Sequence, residues 1–109
     1  MVENNARDLY SGLIRLHVLH HACEGPIFGL GMLEELARHG YWISPGTLYP
    51  ILHCLEQKGY LRSTEHRDGK SLGRLYTATA RGRKAREAAK AKIRELFLEL
   101  VDGSFAGSC

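Results

Sequence analysis

The sequence predicts a mainly helical domain that carries one β-hairpin, and three observations predict it. Apolar residues recur at three- and four-residue spacing along most of the chain. A serine–proline pair opens one such stretch, and an Asp-Gly step separates two short alternating segments. The 109 residues, 44% apolar and 25% charged, suit one globular domain with a modest core rather than a disordered chain.

Asn5 can cap the first helix, with Asp8 three places on as the reciprocal acid. Leu9, Leu13, Leu16 and Leu19 follow, joined by Ile14 and Cys23, until Gly25-Pro26 stops the helix. A second helix is expected over 27–38, with Leu30, Leu33 and Leu36 inward and His39-Gly40 at its end. Gly29 and Gly31 weaken it unless they permit close backbone packing. Ser44 caps the third helix. Pro45 takes its first position, where the amide hydrogen that proline lacks would be unpaired in any case. Leu48, Ile51, Leu52 and Leu55 form the buried stripe, Pro50 falls early enough to be tolerated, and Gly59 supplies a left-handed stop. That helix is about 14 residues and roughly 21 Å long.

Residues 60–65 and 72–79 read as strands, with Leu61 and Ser63 on one face and Leu75, Thr77 and Thr79 alternating likewise. Between them HRDGKSLG holds Asp68-Gly69, the strongest local hairpin signal in the chain. Thr79 then caps a last helix running to about residue 101. Ala85, Ala89, Ile93, Leu96 and Leu100 share one of its faces, with Ala88, Phe97 and Val101 beside it. The closing GSFAGSC is expected to fray.

Charge is unevenly placed. Residues 62–94 hold eleven Lys or Arg against three acids, whereas residues 1–61 hold four against six and the last fifteen hold only acids. A basic middle between acidic ends fits a surface that meets a polyanion. For 84–94 alone, a solvated helix face explains the charge equally well. No apolar run approaches the length of a membrane span, the start MVENNARDLY lacks a secretory pattern, and the three cysteines form no disulfide framework. The expectation is a reduced, cytoplasmic protein.

Helix, helix, short connection, capped helix and a two-stranded hairpin with a charged tip is the order of a winged helix-turn-helix. A helix of this length fits a DNA major groove, about 12 Å wide, and its start presents unpaired amides and the positive dipole end. Small groups at Ser44, Gly46 and Thr47 let the backbone come close. The wing offers Lys70, Ser71 and Arg74, with Arg67 on the approaching strand and Arg62 able to contact DNA or solvent.

The stretch ISPGTLYPILHCLEQKGYL, residues 43–61, resembles the recognition-helix signature of the PadR family of bacterial transcriptional regulators. GRLYTATARGRKA resembles the same family's wing-strand and helix-start motif, with Tyr76, Thr79 and Gly82 in matching places. GPIFGLGMLEELARHGY is similar more loosely: Gly29 matches, but Leu30 stands where the family usually has an aromatic residue. The resemblance implies that Ser44, Gly46, Thr47 and Tyr49 meet DNA, with Tyr49 reaching a phosphate and His53 one turn on offering a polar contact. For Tyr49 the alternative is a half-buried aromatic closing the core. The resemblance to the smaller branch also implies that a single terminal helix contributes to dimerisation.

That reading divides the chain into residues 1–79, a winged helix-turn-helix with an N-terminal helix, and 80–109, a dimerisation helix and tail. The implied protein is a dimeric regulator, a repressor of a pseudopalindromic operator in double-stranded DNA, associated with the nucleoid when bound. Leu9, Leu13 and Leu16 of the first helix, with Leu96, Phe97, Leu100 and Val101 of the last, supply the pairing surface. In the competing arrangement the last helix folds back, and Ile93 and Leu96 finish a monomeric core. A protein-interaction module without specific DNA binding is the alternative function. A small-molecule effector is compatible with the reading but unidentified, and Trp42, Phe28 and Phe97 are too thin a basis to place it.

Nothing in the motifs points to an enzyme: there is no GxxxxGK[ST] loop, no GxGxxG and no HExxH. No cofactor is expected. His17, His20, His21 and Cys23 form the one constellation worth weighing for a metal, and packing is the preferred reading because the leucines already define that helix as a core element. Cys54 reads as a small apolar group beside a buried stripe, and neither it, Cys23 nor Cys109 makes a strong redox switch.

Overall fold

The computed structural model describes residues 7–69 and 71–103. Its elements run α1 (Arg7–Glu24), β1 (Ile27–Phe28), α2 (Gly29–Arg38), α3 (Pro45–Gln57), β2 (Leu61–Asp68), β3 (Ser71–Ala78) and α4 (Ala80–Phe97), which continues as a π-helical turn, Leu98–Asp102. The architecture is the mainly helical winged helix-turn-helix that the sequence predicts. Asn5, the expected cap of α1, Lys70 and the closing segment after Gly103 lie outside the described residues, as does Cys109.

The core is built where α1, α2 and α3 meet the base of the hairpin. Ile14 and Val18 of α1, Met32 and Leu36 of α2, and Leu48 and Leu52 of α3 are almost fully buried, with Leu61, Tyr76 and Ala78 closing the layer from the sheet. Full burial of such side chains contributes roughly 1.5–3 kcal/mol each. Leu30 departs from expectation. It is 66% exposed, because α2 begins at Gly29 and takes its phase from Met32 and Leu36, leaving Leu30 on the outer face. Residues 27–28 are not helical but form a third strand, antiparallel to β3 through Ile27↔Tyr76 and Phe28↔Leu75, so the sheet order is β1-β3-β2.

The wing is longer than its alternation suggests. Asp68 pairs with Ser71, which puts Gly69, at φ +62°, in the first position of a two-residue connection and assigns Arg67 and Asp68 to the strand. The helix ends follow local chemistry. Gly59 lies at φ +84° and donates to the Glu56 carbonyl, and Thr79 Oγ1 accepts from the Gly82 amide at 3.0 Å.

Beyond its first turns α4 leaves the body. The radius of gyration is 15.6 Å and the extents are 57 × 32 × 20 Å, against about 13 Å for a compact domain of 100 residues. The start of α4 is tied down by Arg83 donating to the Cys23 carbonyl (3.0 Å) and Arg86 donating to Glu24 Oε2 (2.7 Å). That second bond holds the Glu24 carboxyl below its usual value. Further out, Ile93, Leu96, Phe97, Leu100 and Val101 are all exposed, so the last helix does not finish a monomeric core.

Candidate nucleic-acid interface

Ser44 shapes the start of α3. Its backbone is extended (φ −87°, ψ 163°) and its Oγ accepts from the Thr47 amide at 3.2 Å, while Thr47 Oγ1 stands 3.4 Å from the same oxygen. The Ser44 hydroxyl therefore serves the helix first. Ser44→Ala should cost about 1 kcal/mol of stability, read as a lower denaturant midpoint with unchanged slope.

Turned outward along α3 are Gly46, Tyr49, Pro50 and His53, all exposed, while Leu48, Ile51, Leu52 and Leu55 face in and Thr47 sits between. The spacing of the outer residues, three and four apart, makes one stripe down the helix. Pro50 does not interrupt the helix. The stability of this element thus comes from the inner stripe, and the outer one is small, polar or rigid.

Tyr49 is an exposed residue that also packs on its neighbours. It is 45% exposed, yet its ring lies so close over Gly29 that a Cβ there would overlap the phenol. Gly29 is the small residue that lets the aromatic cross the start of α2. The phenol borders a groove of about 590 Å³ lined by Phe28, His66, Gly73 and Leu75. Phe28 lies over the bare Gly73, where an added Cβ would stand 3.4 Å from its ring, and tilts against the His66 ring.

On the wing, alternation puts Ser63, Glu65, Arg67, Arg74 and Tyr76 on one face, and Arg62 on the other. Arg74 does not sit at the tip. Its Nε and Nη2 donate to Ser63 Oγ at 3.1 and 2.9 Å, and Ser63 in turn donates to Glu56 Oε2 at 2.7 Å. This chain of bonds joins the wing to α3. It also lays the guanidinium along a cleft shared with His53, Gln57 and Tyr76. Burial, reinforced by Glu56, pushes the Tyr76 phenol above its ordinary value, so it remains a neutral donor in that cleft. Arg67 is exposed on the same face nearer the tip. Lys70 and the Ser71 side chain are outside what the structure describes.

The structure thus brings Tyr49 and His53 to two clefts that share Arg74, leaves Gly46 exposed in the first turn of α3, and carries Arg67 further along the wing. The Arg74–Ser63–Glu56 relay was not foreseen. Its signal was present in principle, because equal numbers of residues on either side of the turn pair Ser63 with Tyr76 and so place Ser63 and Arg74 diagonally on one face.

A three-helix core, a capped outward helix and a flanking hairpin define a winged helix-turn-helix protein. Residues 18–88 match the model of the Transcriptional regulator PadR-like family, and the chain belongs to that family. It is 41% identical over 97 residues to the Mycobacterium tuberculosis protein named Transcriptional regulator Rv3488, covering 89% of this chain and 91% of the other. A PadR family transcriptional regulator from Eggerthella lenta superposes with a TM-score of 0.74 at 30% identity, over 82% of this chain and 79% of that one. Bacillus subtilis PadR, solved in complex with operator DNA, shares the fold at a TM-score of 0.62 and 19% identity, over 70% of this chain and 45% of that one. Among the described residues no helix is long and apolar enough to cross a membrane.

Proposed function

We propose that the protein is a sequence-specific DNA-binding regulator that acts as a twofold dimer and represses by occupying a pseudopalindromic operator. The observation that carries this reading is the outer stripe of α3, Gly46, Tyr49, Pro50 and His53, set beside a wing whose Arg67 and Arg74 face the same way. Ser44 and Thr47 shape the helix start that would enter the major groove, and Tyr49 presents a phenol at its edge. Arg67, Lys70, Ser71 and Arg74 would follow the phosphates. The solved complex of Bacillus subtilis PadR with operator DNA supports the assignment of partner. Residues 1–79 form the reading head and residues from 80 on the pairing helix. Binding to chromosomal DNA would place the protein in the cytoplasm, at the nucleoid.

Dimerisation is supported by the two apolar surfaces left uncovered. Leu9 and Leu13 on α1 and Leu96, Phe97, Leu100 and Val101 at the far end of α4 are exposed, and Leu16 is half-buried in a groove of about 300 Å³ between α1 and α4. A symmetric partner that laid its own terminal helix there would hide both surfaces. It would also separate two recognition helices by about 34 Å, one turn of duplex.

The experiment is a binding series on selected operator and random duplex at several salt concentrations. Wild type should be held on random duplex at low salt and released at high salt, with tighter binding to its own site. Thr47→Ala should narrow the gap between specific and random DNA. Arg67→Gln and Arg74→Gln should weaken both and lower the log–log salt slope by up to about one each. Unchanged binding by both arginine variants would remove the wing from the interface. No retention at low salt would leave the fold as a protein-interaction module.

A further inference from the structure

Away from the α3 stripe, three histidines converge from two elements. His17 and His21 lie one turn apart on the same side of α1, and His39 caps the C-terminus of α2. The rings of His17 and His39 stack with centroids 4.6 Å apart, and His21 lies 6.2 Å from the first and 5.6 Å from the second. One potential ligand nitrogen from each falls within 4.8 Å of the other two. His20, the neighbouring candidate in sequence, points elsewhere and meets Arg86 at 3.2 Å.

We propose that His17, His21 and His39 bind one first-row divalent transition-metal ion of the zinc, nickel or cobalt type, a site that ties α1 to the end of α2. Three imidazoles on a single ion at about 2.0–2.1 Å would have nitrogens roughly 3.4 Å apart in a tetrahedral set. Closing to that spacing from within 4.8 Å calls for ring rotations and small side-chain adjustments within the rotamer wells. His17 and His21 stand four residues apart on one helix face, a spacing that lets two ligands converge.

The surroundings suit a cation. His21 Nε2 is buried and has no hydrogen-bond partner, an unmet need that folding rarely leaves in place. Glu35 Oε2 stands 3.6 Å from that nitrogen, too far for a hydrogen bond but near enough to add negative charge at the margin of the cluster. Arg38 is occupied by Glu35's other oxygen. Tyr41 packs on His17 at 5.2 Å and Tyr10 on Tyr41 at 6.3 Å, an aromatic wall that lowers the local dielectric. Burial holds His17 and His21 below the ordinary imidazole value. The other histidines add to that effect at both, while Glu35 opposes it at His21. Both rings are therefore neutral near pH 7, the form that ligates. His39 is exposed, which gives an ion a route in from solvent.

The ligand type sets the selectivity. Neutral imidazoles favour zinc, nickel, cobalt and copper(II), with affinity rising from cobalt to nickel to copper and zinc below copper. Magnesium and calcium, which demand oxygen ligands, should not compete. Packing alone, with the three rings serving only as a stacked seam between α1 and α2, predicts no such selectivity.

His39 also lies five residues before Ser44, so an ion there restrains the connection that enters α3. Zinc should therefore change operator affinity in the wild type and not in His39→Gln. This consequence rests on α3 reading DNA; the site itself does not.

The decisive measurement is a titration of the full, metal-stripped chain with zinc(II), by competition against a chromophoric chelator, and with cobalt(II), by its visible spectrum. The expected result is one ion per chain at micromolar or tighter affinity, with His39→Gln, and separately His17→Gln, weakening it at least tenfold. His20→Ala should bind the metal as wild type does. His39→Gln alters an exposed helix cap, so its fold can be checked by circular dichroism and its result stands even if His17→Gln unfolds. No saturable binding below millimolar metal, or unchanged affinity in His39→Gln, overturns the site. Equal operator affinity with and without bound zinc overturns the regulatory consequence alone.

Discussion

Leu96→Asp together with Leu100→Asp should turn a dimer into a folded monomer and lower operator affinity by more than any single wing substitution. Leu96 is 51% and Leu100 76% exposed in the isolated chain, so neither charge enters the core and the monomer should keep its helical content. In the dimer the same side chains, with Phe97 and Val101, leave water. Burying their exposed portions is worth about 1 kcal/mol or more each, several kcal/mol per protomer in all. Two carboxylates per chain forced into that contact would meet two more across the twofold axis, unpaired and desolvated. The operator effect follows from linkage. A dimer binds its second half-site at the effective concentration set by the first, an advantage commonly of 10²–10⁴ that a monomer loses. Sedimentation at micromolar concentration reads the mass, and titration of full and half operators reads the coupling. A wild-type chain that stays monomeric and binds half-sites independently would sink the proposal, as would a double variant that still dimerises.

How much of this was legible in the sequence depends on the range of the interaction involved. Caps were legible because they are local: Ser44 and Thr79 each need a backbone amide three residues on, and Gly59 needs only its own φ. The stripe of α3 was legible because Leu48, Ile51, Leu52 and Leu55 repeat one spacing without competition. Leu30 was misplaced because α2 is glycine-rich and offers two apolar phases. Choosing leucines passed over Met32, which is fully buried. The strand Ile27–Phe28 is too short to show alternation and exists only because β3 presents a free edge to it. The pairing of His17 and His21 could be read from their spacing, whereas His39 joins them only through the packing of α2 on α1. Gly82 matched a family motif, but its physical reason needed the turn of chain around Tyr60.

That reason makes Gly82→Ala the most damaging single-methyl change expected in the chain. Gly82 is buried in the first turn of α4, where an added Cβ would overlap the carbonyl oxygen of Tyr60 and stand 3.1 Å from its carbon and 3.2 Å from Leu19 Cδ1. The Tyr60 carbonyl cannot easily retreat. It accepts from the Thr79 amide at 3.1 Å, while the Tyr60 amide donates to Leu55 at 2.9 Å. Moving α4 instead would strain the Thr79 cap and the bond from Arg83 to Cys23. Helix propensity argues the opposite sign, since Ala in place of Gly inside a helix gains roughly 0.5–1 kcal/mol. Backbone overlap should win, giving a net loss of about 2–3 kcal/mol and a melting temperature lower by about 10 °C or more. Gly12→Ala is the matched control. It lies inside α1 with nothing of its own chain within 4 Å of an added methyl, so in the monomeric Leu96→Asp, Leu100→Asp background propensity acts there alone and the variant should melt slightly higher than its parent. If Gly82→Ala instead rose with Gly12→Ala, the close approach of α4 to the Tyr60 carbonyl would be wrong, and with it the seating of α4 on the rest of the fold.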